Sequence, residues 1–143
     1  MAWRDLTAEE DASLPAARLG GALLWMVIAA VLLCAVALAG VCFGFDRLRE
    51  IGDRYMAAVA FIAVWSLAFI VMTLLRIRAT PFVASCTLVT WIAYRFCVVL
   101  LSQAGWPLAV DLLAEAFLAA GFCGYMASAV RPNAYYRRRL PTS

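Results

Sequence analysis

The sequence predicts an all-α fold: a four-helix bundle integral to a membrane, with both termini in the cytoplasm. Three observations lead there. Of 143 residues, 66% are hydrophobic and only 15% charged, with a mean hydropathy of +0.90, well above the apolar share of an average soluble domain. The apolar residues fall into four runs, each near the ~20 residues a helix needs to cross a bilayer. The arginines between those runs are unevenly shared between the two sides, and this asymmetry sets orientation. A soluble core of this length would leave much of the apolar surface in water, whereas lipid takes it up. Residues 1–143 read as a single membrane domain, with no linker dividing it.

The first span, residues 19–45, is LGGALLWMVIAAVLLCAVALAGVCFGF and carries no charge. It exceeds the ~7–15 apolar residues of a secretory signal, and an acidic segment precedes it (Asp5, Glu9, Glu10, Asp11), so it reads as a span and not a leader. A polar connector at 46–54, DRLREIGDR, leads to the uncharged second span at 55–75. Arg76, Arg78 and Pro81 mark the next turn. The third span covers 81–102, with Arg95 its only charge. Gln103, Gly105, Trp106 and Pro107 supply turn chemistry, and the fourth span runs over 108–130 until Arg131 and Pro132 end it. A cytoplasmic tail, 131–143, follows. In lipid only helices and closed barrels satisfy their backbone groups, and long runs without two-residue alternation favour helices.

The segments before span one, between spans two and three, and after span four hold eight arginines; the two connectors on the opposite side hold three. Positive residues stay inside, so both termini are placed in the cytoplasm of a bacterial cell, with the spans in its inner membrane. The bacterial assignment rests on the arginine and alanine bias.

Three ionisable residues interrupt the last two spans: Arg95, Asp111 and Glu115. Arg95 lies eight residues before Gln103, and Glu115 eight after Pro107. At ~1.5 Å per residue both sit roughly 12 Å from the turn. An unpaired charge near mid-bilayer costs about 2.5–3.5 kcal/mol on insertion scales, so an Arg95–Glu115 pair is expected, with Asp111 a second or alternative partner one turn away. The cluster reads as a register lock between the third and fourth helices, as the lining of a polar cavity for a proton, ion or lipid headgroup, or as a contact with a partner helix.

Gly40 and Gly44 form a G-x-x-x-G that permits close helix approach. Trp106 on one side, and Tyr135 and Tyr136 on the other, fit aromatic belts at the lipid interface. Arg137, Arg138 and Arg139 fit anchoring on an anionic leaflet. One short basic patch without a nucleic-acid-binding fold gives no reason to expect nucleic acid as a partner. TAEE at 7–10 has the form of a helix capping box. The five cysteines contain no C-x-x-C and lie in or beside apolar runs, where thiols act as packing residues. With no histidine, the chain lacks the usual haem and metal ligand, and neither a cofactor nor a metal is expected.

Gly20-Gly21-Ala22-Leu23 at the start of the first span, with Tyr125-Met126 and the run from Ser128 to Tyr135 at the end of the last, resembles a bacterial family of small four-helix inner-membrane proteins of unknown function. Members of that family typically open with Gly-Trp-Leu and close with Tyr-hydrophobic-x-Ser-x-Arg-Val-Lys-x-Thr-Phe. Here Gly21 and Ala22 stand at the tryptophan, and Val130-Arg131-Pro132 at Arg-Val-Lys. The resemblance implies a topology and an address, and brings no catalytic residue with it.

Short connectors leave no room for a catalytic domain. The expected function is therefore non-enzymatic: an accessory or scaffold subunit of a membrane assembly or envelope process. Its expected partners are membrane lipid and another membrane protein or further copies of itself. The alternative is a small ion-coupled transporter using Arg95, Asp111 and Glu115.

Overall fold

The computed structural model describes residues 3–101 and 106–141, with the side chains of Ala8, Trp106 and Pro107 outside the description. The protein is helical, and four of its helices are long and apolar enough to cross a membrane. The chain forms two compact units, one of residues 18–77 and the other of residues 1–17 with 78–143.

The first unit is a helical hairpin. Helix α2 runs Gly21–Ile51 and helix α3 Asp53–Leu74. On α2 the buried residues Leu23, Val27, Ala30, Cys34 and Ala37 alternate four and three residues apart, the spacing of a helix-packing seam. Small side chains along that seam bring α3 close, and the Cys34 thiol lies 3.9 Å from the Ala63 carbonyl. On α3, Ser66, Phe69 and Thr73 are buried, and Trp65 stacks on Phe69 with centroids 5.5 Å apart.

The connector expected at 46–54 is largely helix. α2 continues through Asp46, Arg47, Arg49 and Glu50, and only Gly52 separates it from α3. Polar residues can prolong a helix once it has left hydrocarbon, and ~1.5 Å per residue makes α2 roughly 46 Å long against a ~30 Å core. Gly52 has φ 123° and ψ 163°, a region essentially restricted to glycine, and this lets the chain reverse on one residue. Within α2, Gly44 departs from helical geometry at φ −125° and ψ 17° and kinks the helix. At the end of α3, Arg76 adopts φ 50°. The Ile77 N–H donates to Met72 C=O and the Arg76 N–H to Thr73 C=O: together these are the two bonds of a Schellman cap.

The second unit holds helix α4 (Thr80–Leu101) and helix α5 (Trp106–Ser128). Contacts between residues 95 and 115 and between 85 and 123 make them antiparallel. The turn expected at 103–107 falls largely outside the described residues. Around these helices the two ends of the chain fold together. Strand β1 (Trp3–Asp5) pairs antiparallel with strand β2 (Arg139–Pro141), placing Asp5 opposite Arg139. Helix α1 (Ala8–Ser13), a 3-10 turn at Pro15–Ala17 and helix α6 (Val130–Arg137) complete the unit. α6 packs on α4, α5, β2 and the 3-10 turn.

Pro132 explains why α5 and α6 are separate. It has no N–H for the carbonyl four residues back, and its ring crowds that carbonyl. The chain accordingly leaves helical geometry at Ala129 (ψ 145°) and restarts at Val130, so proline falls in the first turn of α6, where it is tolerated. Many large apolar side chains of the four long helices point outward, among them Trp25, Phe43, Leu101, Phe117 and Leu118.

Candidate functional site

Pro81, Ala84, Leu88, Trp91, Arg95 and Val98 follow one another on α4 at alternating spacings of three and four, and all are buried or half-buried. Leu112, Glu115, Ala119, Phe122 and Met126 do the same on α5. Arg95 and Glu115 thus occupy seam positions that elsewhere hold apolar or small side chains. The packing that joins the hairpin also brings the two charges face to face.

Arg95 Nη2 donates to Glu115 Oε1 at 2.9 Å. The Arg95 side chain is 16% exposed and that of Glu115 38%. The contact uses one nitrogen and one oxygen: Arg95 Nε and Glu115 Oε2 are buried and have no hydrogen-bond partner among the described residues. A guanidinium and a carboxylate can engage through two parallel bonds. This pair engages through one and keeps a donor and an acceptor in reserve.

Asp111, the expected second partner, is exposed and forms no ion pair with Arg95. Four residues along a helix is a displacement of about 6 Å, and its side chain is one methylene shorter than that of Glu115. When the arginine is level with Glu115, Asp111 is therefore left one turn nearer the start of α5.

The helix-packing glycines behave differently from expectation. A Cβ on Gly44 would meet no atom within 4 Å, and one on Gly40 only Leu48 Cδ1 at 3.9 Å. Within the α2–α3 unit, no atom of the other helix stands within 4 Å of either position. What Gly44 provides is the kink in α2.

Among the C-terminal anchors, the two tyrosines require correction. Tyr135 and Tyr136 are buried, the latter 1% exposed, with their rings edge to face at 5.0 Å. They are core residues of α6 and present no ring to a lipid interface. The side chain of Trp106 lies outside the described residues. Arg138 and Arg139 link the chain ends, and Arg137 bonds within α6. Arg139 Nε donates to Asp5 Oδ1 at 2.9 Å, across the paired strands. Arg138 Nε stands 3.8 Å from Asp11 Oδ2, and Arg137 Nη1 donates to Asn133 Oδ1 at 3.2 Å.

Asn133 is a structural residue whose role the sequence reading did not assign. It is 3% exposed, and its Nδ2 donates to the carbonyls of Ala127 and Ala129 at 3.3 and 2.9 Å. Those carbonyls flank the α5–α6 break, and Ala129 C=O also accepts the Asn133 N–H at 3.4 Å. The signal in the sequence is residue type: an asparagine beside a proline break can bond nearby backbone groups.

The capping box at Thr7 is formed. Thr7 Oγ1 accepts from the Glu10 N–H, and Glu10 Oε2 accepts from the Thr7 N–H at 3.0 Å. Arg4 adds a bidentate pair to the same carboxylate, at 2.9 and 2.6 Å. The Arg4 hydrogen bond, with help from the Thr7 N–H, lowers the Glu10 carboxyl from 4.5 to about 2. Among the described residues, no three His, Cys, Asp or Glu side chains lie close enough to hold a metal ion. No protein-family model, no curated protein and no solved structure matches the chain.

Proposed function

We propose that this chain is a non-enzymatic, multi-pass protein of the bacterial inner membrane, with both termini in the cytoplasm. In this reading it is an accessory or scaffold subunit within a larger membrane assembly. The observation that carries the reading is how its polar groups are used. Arg95–Glu115 ties α4 to α5, Arg139–Asp5 ties the chain ends, and Asn133 with Arg137 braces the α5–α6 corner. These groups hold backbone elements in place, while the long helices turn large apolar side chains outward, where lipid or a second protein's helices would cover them. Purification in a mild detergent tests the proposal. A discrete complex with another membrane protein, or a defined homo-oligomer, is expected. A lone monomer under every mild condition would overturn it.

A second reading, a small ion-coupled transporter, has one observation in its favour. Arg95 Nε and Glu115 Oε2 are buried without hydrogen-bond partners, leaving a donor and an acceptor for a water or a transported proton. Proton flux into reconstituted vesicles, lost in Glu115→Gln, would establish this reading. The absence of flux in the native protein removes it.

A further inference from the structure

Arg78, Arg137, Arg138 and Arg139 come from two distant parts of the sequence, and one cleft collects all four. Its volume is about 430 Å³, and Asp5 and Leu6 complete its lining. The volume lies within the range of small-ligand sites, ~300–1,000 Å³. Two local features assemble it. The αL conformation of Arg138, φ 53° and ψ 47°, turns the chain sharply from α6 into β2, so that three consecutive arginines line one cavity. Pairing of β1 with β2 then brings Asp5 and Leu6 into the lining, and the Leu6 N–H donates to Arg138 C=O at 2.7 Å.

The charge of the cleft is far from balanced. Four guanidinium groups face one lining carboxylate, with Asp11 3.8 Å from Arg138. The contacts within the protein use few of the available donors. Arg139 and Arg138 approach their carboxylates through Nε, and Arg137 reaches Asn133 through one Nη. Each guanidinium has five N–H donors in a planar fork. Most of those donors are left over in a cavity large enough for a ligand. Planar forks converging from several directions suit the tetrahedral oxyanion of a phosphate, which accepts bidentate bonds on every face.

We propose that this cleft is a phosphate-binding site. Arg78 closes it from the α3–α4 side, and Arg137, Arg138 and Arg139 close it from the C-terminal side. The phosphate is either the headgroup of an anionic lipid or a soluble phosphate compound. The shared chemistry is a dianionic or monoanionic phosphoryl group held by guanidinium forks, with Asp5 and Asp11 keeping the arginines in position.

The full-length protein tests this in nanodiscs of neutral phosphatidylcholine, in two arms. The first titrates inorganic phosphate, with chloride at matched ionic strength as the control, and reads the unfolding midpoint and binding heat. The second replaces part of the phosphatidylcholine with phosphatidic acid and reads the same midpoint, together with co-purified lipid. Saturable stabilisation in the first arm assigns a soluble ligand; stabilisation in the second arm alone assigns a lipid headgroup. In either case Arg78→Gln is expected to weaken the effect about tenfold or more, the worth of a charge-assisted hydrogen bond. Arg78 makes no tie between the chain ends, so this variant keeps the fold that Arg138 and Arg139 support. Arg47→Gln removes the same charge from an exposed position on α2 and is expected to leave binding unchanged. Loss of binding to the same degree in Arg47→Gln and Arg78→Gln would reduce the effect to bulk electrostatics and overturn the site, as would no stabilisation in both arms.

Discussion

Removing one partner of the Arg95–Glu115 pair is expected to cost more than removing both. The pair lies at the α4–α5 seam, joined by one 2.9 Å bond. Glu115 is nine residues beyond the first residue of α5, or about 14 Å along the helix, close to the middle of a ~30 Å hydrocarbon core. Glu115→Leu strands a guanidinium that cannot shed its proton, and the insertion cost of such a charge is about 2.5–3.5 kcal/mol. The expected loss is of that size, on the order of a 100-fold change in the folded-to-unfolded ratio. Arg95→Met strands the Glu115 carboxylate at the same depth, and a loss of the same order is expected. The double variant Arg95→Met/Glu115→Leu leaves no charge behind and is expected within about 0.5 kcal/mol of the native protein, or above it. Equilibrium unfolding in mixed micelles measures all four species. Single variants indistinguishable from the native protein would refute the reasoning. A double variant whose loss equals the sum of the two single losses would refute it equally.

Gly52→Ala is expected to destabilise the α2–α3 hairpin by about 1–3 kcal/mol through backbone strain alone, because an added Cβ meets nothing within 4 Å; thermal unfolding in detergent checks this. Asn133→Ala removes the side-chain bonds to Ala127 and Ala129, while Ala129 C=O keeps the backbone N–H of residue 133, at an expected cost of about 0.5–1.5 kcal/mol. Hydrogen exchange should show that loss concentrated at residues 127–137. The Glu10 carboxyl, held at about 2 instead of 4.5, favours the folded terminal segment fully above pH 4.5. That contribution falls away as the pH drops towards 2, because the unfolded chain binds the proton first. Amide protection at Thr7 and Glu10 should therefore decline across that window in the native protein and show no such decline in Glu10→Gln.

The long helices were legible because their length and apolar composition announce them. Expected ranges of 55–75 and 81–102 compare with helices at Asp53–Leu74 and Thr80–Leu101. The first was misjudged at its far end because hydropathy reports where apolar residues stop, and α2 continues six residues past 45 on polar ones. The closeness of Arg95 to Glu115 could be read by counting from the turn, since two antiparallel helices share one rise per residue. That counting also set Glu115 ahead of Asp111, which lies one turn nearer the start of α5.

The terminal assembly was not legible. β1 and β2 are three residues each, too short for any alternating pattern, and Asp5 and Arg139 are 134 residues apart. Without that pairing, Tyr135, Tyr136 and the arginines read as interface anchors by composition, although folding buries the tyrosines. At the G-x-x-x-G, spacing announces only that a close approach is possible, and the kink at Gly44 is a matter of local backbone geometry that spacing does not report.

Photo-crosslinking in intact membranes tests most directly the claim that the outward apolar faces dock onto protein. A photoreactive residue is placed in turn at Phe43, Phe117 and Leu118, all exposed, and at Leu23, which is buried. The scaffold account expects at least one exposed position to give a protein adduct of discrete, reproducible mass, and Leu23 to give adducts only within the chain. Lipid adducts alone at every exposed position would contradict it.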